Sequence, residues 1–394
     1  MRAILRGKLA IESPYAISSD TGIVVQDGTI LKVGNFKKIA LQEAGTPVKE
    51  FEGIICPGLI NAHTHLELSS FGRIPHKDFV DWVLQLMEAR LSIEPRDLSL
   101  QCTDAKRHAE GSGTAYFVNV GNDYVLNRSF GGNQLLQFEQ IGINEERAAD
   151  IYGRAVASMN PHGGMEDALA IHAPYSVSPS LMKNIKKYNN EHGFVTSIHL
   201  AETADEVEFI RSGKGRMTDL LDRRVGNWKF DAPGVSPVEY VDRLGILEEK
   251  TICVHCVFID DKDMKLLGAR GSAVASCVRS NRALSGKVTD MRKLLKNGIR
   301  VLIGTDSKAS SPDIDMFNEV SAFYNEFHDV VTPAQVFEMA TSDAAEFLGI
   351  DNRYGRISPQ KSASLVFVPF DGKPEDAFEF LVTEAHGQTK AIAL

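Results

Sequence analysis

Two histidines stand two residues apart in the stretch PGLINAHTHLEL, after an apolar run that opens with Pro57 and Gly58. Alternate residues of a β-strand point to the same face, so a strand reaching this far presents His63 and His65 side by side, with Asn61 and Glu67 in the same parity. Two imidazoles in that arrangement form a ready pair of metal ligands. Histidines at this spacing also occur by chance, so the pair needs partners from elsewhere in the chain.

Two other polar residues follow apolar runs and could complete a metal site. His199 stands in SIHLAET and Asp306 in VLIGTDSKAS. They supply a third nitrogen and a carboxylate, the donor set that zinc or ferrous iron accepts. Glu202 follows His199 by three residues, where a loop could bring it over the metal, although a carboxylate at a helix start would also favour this position.

Two more histidines, His172 in AIHAPYSVSP and His255 in TICVHCV, lie in similar surroundings. His172 is either a core histidine bonded to the backbone or a residue that contacts a substrate. His255 lies inside a C-x-x-C pattern. On a strand Cys253 and Cys256 face opposite sides and cannot easily share a metal or form a disulfide, so we expect buried apolar side chains.

The elements that must position these residues are short apolar runs separated by segments of helical period. The predicted strands are Ile54–Ile60, Thr114–Val120, Leu135–Phe138, Ala168–His172, Val195–Leu200, Thr251–Val257, Ala273–Ser276 and Val301–Gly304. Eight strands alternating with helices predict an α/β fold, a (β/α)8 TIM-type barrel. The candidate residues then gather at the strand ends, where the chemistry of such barrels is found.

The two terminal parts of the sequence differ from the middle, because they contain short β-like runs separated by turns. Asp27-Gly28 between two apolar runs predicts a hairpin, and an apolar run ends the sequence at 391–394. We expect residues 1–55 and 355–394 to form a small β-sandwich domain and residues 56–354 to form the barrel.

The composition and charge of the chain favour some classes of protein and disfavour others. The 394 residues are 43% hydrophobic and 24% charged, with a net charge of −9 and five cysteines. The acidic balance without a basic cluster disfavours nucleic acid and favours a small-molecule partner. An apolar run of membrane-spanning length is absent from the sequence. An odd number of cysteines without disulfide spacing fits a reducing compartment, so we expect a cytoplasmic protein.

Together these segments resemble the amidohydrolase superfamily, in particular its mononuclear-metal aminohydrolases, which include guanine, cytosine and S-adenosylhomocysteine deaminases and triazine hydrolases. The resemblance rests on these segments: PGLINAHTHLEL, IHAPYSVSP, SIHLAET, VHCVFI, ASCVRSNRAL and VLIGTDSKAS. The binuclear branches carry a lysine at the end of strand four. The His172 segment has none, which favours one metal ion.

The resemblance implies a role for each candidate. His63, His65, His199 and Asp306 would hold one divalent ion, zinc in the first place and iron as the alternative, which activates a water. Glu202 would transfer the proton of that water to a ring nitrogen, and His255 would hold the attacking oxygen. Asp306 would then pass a proton to the departing amine. The implied enzyme is a hydrolase of non-peptide carbon–nitrogen bonds in cyclic amidines, a deaminase that releases ammonia.

The substrate is less well defined. The segments HTHLELS, HAPYSVSP and SNR look most like 6-aminodeoxyfutalosine deaminases of menaquinone biosynthesis, whose substrate is an adenine nucleoside bearing a benzoate. The residues expected to contact substrate are Glu67, His172, Tyr175, Trp82 and Arg282. Arg282 would meet the carboxylate, although a solvated loop charge is the simpler interpretation of it.

Other activities remain open. They include deamination of guanine, adenosine, S-adenosylhomocysteine or methylthioadenosine, triazine-type or chlorohydrolase chemistry, and ring opening by an imidazolonepropionase-like cyclic amidase. A non-catalytic barrel is a further alternative, although such relatives usually lose metal ligands. Homodimers are common among the relatives, so a homodimer is one expectation.

Overall fold

Strands from both chain termini form one mixed sheet. The computed structural model describes residues 2–13, 15–159 and 167–393. The strands of this sheet are β1 (Arg2–Ser13), β2 (Ala16–Gln26), β3 (Thr29–Asn35), β4 (Val48–Pro57), β13 (Leu365–Pro369) and β14 (Lys390–Ala391), and they lie in the order β14-β13-β4-β1-β2-β3. The predicted domain from both termini is confirmed, as a single six-stranded sheet rather than the two sheets of a sandwich. Leu394, the last residue of the predicted C-terminal run, lies outside the described residues.

The predicted hairpin joins β2 and β3, which pair antiparallel. Asp27 and Gly28 both have positive φ, 48° and 76°, the backbone geometry that an Asp-Gly hairpin turn requires. Inside the sheet, alternate apolar residues such as Leu5, Ile23 and Ile55 pack into a buried cluster. Their burial explains why these short runs form strands.

A second sheet has eight strands in the order β12-β11-β10-β9-β8-β7-β6-β5. Their bounds are β5 (Leu59–Thr64), β6 (Thr114–Gly121), β7 (Gln134–Gln140), β8 (Ala168–Ile171), β9 (Thr196–Leu200), β10 (Thr251–His255), β11 (Ala273–Ser276) and β12 (Val301–Ile303). Neighbouring strands from β7 to β12 run parallel. The predicted eight-stranded α/β barrel is therefore confirmed.

Helices accompany these strands along the chain. Their bounds are α1 (Phe36–Gln42), α2 (Phe79–Leu91), α3 (Pro95–Gly111), α4 (Tyr124–Arg128), α5 (Ala148–Met159), α6 (Pro179–His192), α7 (Ala204–Ser212), α8 (Arg216–Arg224), α9 (Pro237–Arg243), α10 (Asp261–Arg270), α11 (Val278–Leu284), α12 (Met291–Lys296), α13 (Met316–Phe327), α14 (Pro333–Met339), α15 (Ser342–Leu348) and α16 (Ala377–Thr383). Short 3-10 turns lie at Leu66–Leu68, Glu145–Arg147 and Pro374–Asp376. Among the described residues, no helix is long and apolar enough to cross a membrane.

The chain divides into two compact units. One comprises Met1–Ala62, Lys106–Phe117 and Asp315–Leu394, and the other comprises His63–Ala105 and Val118–Ile314. The terminal sheet belongs to the first unit. The second unit carries the candidate site residues from His63 to Asp306, so the geometry of the site is internal to it.

The first barrel strand begins later than the sequence indicates. The predicted strand Ile54–Ile60 is divided at Pro57 and Gly58 between β4 of the terminal sheet and β5 of the barrel. A Cβ on Gly58 would lie 2.7 Å from the Cβ of Ala115, so the chain passes this point only without a side chain. The barrel strand therefore runs from Leu59 to Thr64.

The segment that follows β12 lies against the end of β5, at His63 and Thr64. The amide of Asp306 donates to the carbonyl of His63 (3.0 Å) and the hydroxyl of Thr64 donates to the carbonyl of Asp306 (3.0 Å). A Cβ on Gly304 would lie 2.8 to 2.9 Å from atoms of His63. Glycine at this position lets the backbone after β12 approach His63 closely enough to bring Asp306 to the histidines.

Candidate metal centre and active site

Three histidines from two barrel strands converge on one point. His63 lies in β5, His65 follows its end and His199 lies in β9, and all three are buried. The Nε2 atom of His199 is 3.2 Å from Nε2 of His65 and 3.2 Å from Nε2 of His63. These three ring nitrogens form a group able to bind a metal ion.

Asp306 supplies the carboxylate beside them. Its Oδ1 atom lies 3.9 Å from Nε2 of His63 and 3.7 Å from Nε2 of His65. Its Oδ2 atom accepts hydrogen bonds from the hydroxyls of Ser280 (2.5 Å) and Ser310 (2.9 Å). The two serines therefore fix the carboxylate so that Oδ1 faces the imidazoles.

The spacing of these donors fits a tetrahedral metal ion. Ligand nitrogens at ordinary zinc distances are separated by roughly 3.3 Å in a tetrahedral shell, close to the separations found here. Burial lowers the pKa of His63 well below its usual range and that of His199 to about 3. Neutral imidazoles are the form that binds a metal, so the donor set and the neutral form of His63 and His199 both fit one divalent ion.

A carbonyl and a carboxylate orient the ring of His199. Its Nδ1 atom donates to the carbonyl of His172 (2.8 Å) and lies 3.5 Å from Oε1 of Glu139. That oxygen has no hydrogen-bond partner among the described residues, whereas Oε2 accepts from Asn122 (2.9 Å). With the Nδ1 proton directed away from the site, Nε2 presents its lone pair to the other histidines.

His255 and Glu202 form a buried pair next to the metal-binding group. Oε1 of Glu202 is 3.5 Å from Nε2 of His255, and Nδ1 of His255 bonds to Oδ1 of Asn281 (2.8 Å). Burial, with Asp306 nearby, raises the pKa of Glu202 well above its usual range, and burial lowers the pKa of His255. The carboxyl group therefore favours its protonated form and the imidazole its neutral form, so the pair can hold one proton between them.

The backbone at this pair is strained. His255 and Cys256 have φ values of 73° and 49°, which cost non-glycine residues free energy. The hydroxyl of Thr289 donates to both of their carbonyls, at 2.8 and 3.0 Å. Cys253 and Cys256 are free and buried, as predicted.

His172 and Tyr175 lie beside the histidine group. The ring centroid of His172 is 5.3 Å from that of His199 and 5.7 Å from that of Tyr175. Nδ1 of His172 bonds to the hydroxyl of Ser176 (2.6 Å), and burial lowers the pKa of His172 to about 3. Burial also raises the pKa of Tyr175 well above its usual value. Both side chains are therefore neutral groups suited to contacts with an uncharged ring.

Glu67 lies in different surroundings from those predicted. The strand ends at Thr64 and Leu66–Leu68 form a 3-10 turn, so Glu67 does not share the strand face of the histidines. Its carboxylate accepts from Arg90 (2.9 Å) and from the backbone amides of Asn122 (3.1 Å) and Asp123 (2.9 Å). These contacts fasten the loop after β6 to the segment after β5. A contact between Glu67 and substrate stays a prediction.

Trp82 and Arg282, the other two predicted substrate contacts, lie on helices. The indole N–H of Trp82, on α2, donates to the carbonyl of Ala309 (3.1 Å), which holds α2 against the loop after β12. Arg282, on α11, is exposed and donates to the carbonyl of Gly286 (3.1 Å). Their roles toward a substrate stay predictions.

Residues 54–385 match the sequence model of the amidohydrolase family. The chain belongs to the amidohydrolase family. The predicted resemblance is thereby confirmed, as is the enzyme class, a hydrolase of carbon–nitrogen bonds in cyclic amidines, which the names of its relatives also indicate.

Two relatives are similar to this amidohydrolase over most of its length. The 5-methylthioadenosine/S-adenosylhomocysteine deaminase of Syntrophobacter fumaroxidans is 29% identical, and the match covers 93% of this chain and 84% of the relative. The 5'-deoxyadenosine deaminase of Methanopyrus kandleri is 29% identical, and the match covers 81% of this chain and 73% of the relative.

Two solved structures share its fold. The aminofutalosine deaminase of Helicobacter pylori in complex with methylthio-coformycin superimposes with a TM-score of 0.83 at 21% identity, covering 98% of this chain and 97% of the other. An adenosine deaminase of Xanthomonas campestris with bound zinc gives 0.78 at 20% identity, covering 98% and 90%. At these identities the similarity demonstrates the fold alone.

Proposed function

We propose that this amidohydrolase is a metal-dependent deaminase of aminopurine-type nucleosides or bases. The observation that carries the proposal is the convergence of three imidazole nitrogens and the Asp306 carboxylate beside the buried Glu202–His255 pair. A metal-binding group next to a proton carrier is the machinery that hydrolytic deamination needs. The names of the two relatives reported above, both adenosine-type deaminases, support the same substrate class.

The proposed ligands of the metal are His63, His65, His199 and Asp306. Three nitrogens and one oxygen suit zinc first and ferrous iron as the alternative. The ion would lower the pKa of a bound water toward about 7 and so supply a nucleophile at neutral pH.

Glu202 and His255 handle the proton in this proposal. Glu202, whose raised pKa favours the protonated carboxyl group, carries a proton to the ring nitrogen next to the amine-bearing carbon. His255, oriented by Asn281, accepts a hydrogen bond at Nε2 and holds the attacking oxygen in line. Asp306, with Oδ2 held by two serines, takes the remaining proton of the attacking oxygen and passes it to the amine, which then leaves as ammonia.

The favoured substrate is 6-aminodeoxyfutalosine, an adenine nucleoside with a benzoate group. A groove of about 650 Å³ adjoins the site, since it is lined by Glu139, which lies 3.5 Å from His199, and by Ser176, which bonds to His172. Its walls combine apolar side chains with the guanidinium groups of Arg147, Arg154 and Arg224. An aryl carboxylate matches such a surface, and these arginines are an alternative to Arg282 as its partner.

A substrate without an acidic arm is the second candidate. The relatives named for methylthioadenosine, S-adenosylhomocysteine and 5'-deoxyadenosine favour it. The other activities retained from the sequence are deamination of guanine or adenosine, triazine-type hydrolysis and cyclic amidase chemistry, together with a non-catalytic barrel.

Substrate specificity is tested with the purified protein and a panel of aminopurines. The panel contains 6-aminodeoxyfutalosine, methylthioadenosine, S-adenosylhomocysteine, 5'-deoxyadenosine, adenosine and guanine, and turnover is followed by ultraviolet absorbance and ammonia release. We expect ammonia with the nucleosides and the highest kcat/KM for 6-aminodeoxyfutalosine. Ring opening without ammonia would point to a cyclic amidase. Ammonia release from none of the panel, at full metal content, would contradict the proposal.

The metal is tested separately. We expect about one equivalent of zinc or iron per chain by elemental analysis. Well under one equivalent, with no gain of activity on reconstitution with either ion, would favour a non-catalytic barrel.

A further inference from the structure

The sequence Thr203-Ala-Asp-Glu206 at the start of α7 has the form of a helix capping box. In a capping box the first side chain binds the amide of the fourth residue, and the fourth side chain binds the amide of the first. The first half is present, since the hydroxyl of Thr203 accepts from the amide of Glu206 (3.2 Å). The second half is missing, because the side chain of Glu206 binds other amides and not the amide of Thr203.

The carboxylate of Glu206 binds two amides that precede the cap. Oε1 accepts from the amide of Ala201 (2.8 Å) and Oε2 accepts from the amide of Glu202 (2.9 Å). Glu206 is 1% exposed, so these bonds form away from water, where an acceptor that lost them would remain unsatisfied. A glutamate at this helix position usually binds the amide of the N-cap residue. Glu206 instead binds the two peptide groups on either side of Ala201.

The segment that Glu206 binds is strained, and its conformation sets the direction of the Glu202 side chain, which is catalytic in the proposed function. Ala201 has φ of 49°, a left-handed conformation that a residue with a Cβ seldom adopts. On the other side, the carbonyl of Ala201 accepts from the amide of Phe258 (2.8 Å). Glu202 follows directly, so the direction of its side chain toward His255 depends on this peptide conformation.

We infer that Glu206 is a positioning residue for Glu202, fixing the peptide between Ala201 and Glu202 so that Oε1 of Glu202 remains near Nε2 of His255. Its consequence for catalysis rests on the proposed function, in which Glu202 carries the proton. Displacement of a reacting group by about 1 Å can lower a rate by about a hundredfold.

The test compares Glu206→Gln with Glu208→Gln, an identical change on the exposed face of the same helix. Glutamine keeps one acceptor oxygen but places an NH2 group against the second amide, which breaks one of the two bonds. For Glu206→Gln we expect kcat to fall about 10- to 100-fold with KM changed less than about threefold and metal content unchanged. Glu208→Gln should match the wild type.

Ala201→Gly separates positioning from stability. Glycine adopts the left-handed conformation without strain, so adding Ala201→Gly to Glu206→Gln should restore much of the thermal midpoint while kcat stays low. Recovery of kcat together with the midpoint would show that Glu206 acts only through stability, and would overturn the inference.

Hydrogen exchange gives a measurement that does not depend on activity. The amides of Ala201 and Glu202 should exchange faster in Glu206→Gln than in the wild type or Glu208→Gln, and unchanged exchange would overturn the inference. A wild-type protein that deaminates nothing would remove the proposed function, and the inference would then be decided by exchange and by the Glu202–His255 distance in crystals of both proteins.

Discussion

The hydroxyl of Ser280 donates to Oδ2 of Asp306 over 2.5 Å, joining α11 to the segment that follows β12. Ser310 donates to the same oxygen (2.9 Å). An oxygen that already accepts two hydrogen bonds is poorly placed to bind an ion, so the serines leave Oδ1 as the atom available to the proposed metal ion. Ser280 thereby determines which face of the carboxylate meets the histidines.

Ser280→Ala tests this relationship. The change removes one of the two hydrogen bonds and lets the carboxylate rotate, so we expect metal affinity and kcat each to fall about tenfold, within the range for residues that support metal ligands. Metal content after dialysis against a chelator and kcat at full loading are the measurements. Ser212→Ala, on the exposed end of α7, is the control. Metal retention equal to that of the control would exclude the role of Ser280.

Glu139→Gln tests the carboxylate behind His199. The negative charge 3.5 Å from Nδ1 makes the ring a stronger ligand, so its removal should speed the loss of metal to a chelator about 10- to 100-fold. The carbonyl of His172 still accepts from Nδ1, so the ring orientation should persist and reconstituted protein should regain its metal. Glu146→Gln, an exposed carboxylate nearby in the sequence, is the matched control. Unchanged release of metal would show that His172 alone orients the ring.

Glu202→Gln tests the proton carrier. Glutamine retains the shape of the side chain but cannot exchange the proton, so kcat should fall by about 10² to 10⁴ while metal content remains that of the wild type. Glu208→Gln again serves as the control. Substantial residual turnover would remove Glu202 from proton transfer, and loss of metal would instead place it among the ligands.

The sequence predicted the barrel and the histidine group because both are local signals. An apolar run ending in a histidine marks a strand end whatever lies elsewhere, and parallel strands bring their ends to one side. The prediction for Glu67 assumed that strand alternation continued beyond Thr64, where a 3-10 turn replaces it. The alternation of side chains along a strand does not by itself predict that turn.

The supporting residues were missed because their contacts join distant parts of the chain. Ser280 and Ser310 meet Asp306, and Glu139 meets His199, across loops that no local pattern describes. Glu139 did carry a signal, since it lies next to the last residue of the predicted strand Leu135–Phe138, where polar side chains of such barrels gather. Thr203-Ala-Asp-Glu206 also carried one, but a capping box predicts an ordinary helix start and not the redirected carboxylate.

The terminal unit gives a prediction about pH. The carboxylate of Glu43, at the end of α1, accepts from Lys32 (2.6 Å) and from Arg2 (2.5 Å). Lys32 and Arg2 lower the pKa of Glu43 below its usual value, against the effect of burial.

A carboxyl group with a lower pKa in the folded state stabilises the fold above its unfolded pKa, about 4.3, and the stabilisation is lost as the pH falls through the folded pKa. Glu43→Gln should therefore lower the midpoint of thermal unfolding by about 1–2 °C at pH 7, and the difference should be smaller at pH 3, because the wild-type carboxyl becomes protonated as the pH falls through the folded pKa. Glu52→Gln, an exposed carboxylate in the same unit, should show little difference at either pH. A Glu43→Gln difference that persisted unchanged at pH 3 would assign the effect to side-chain packing instead of charge.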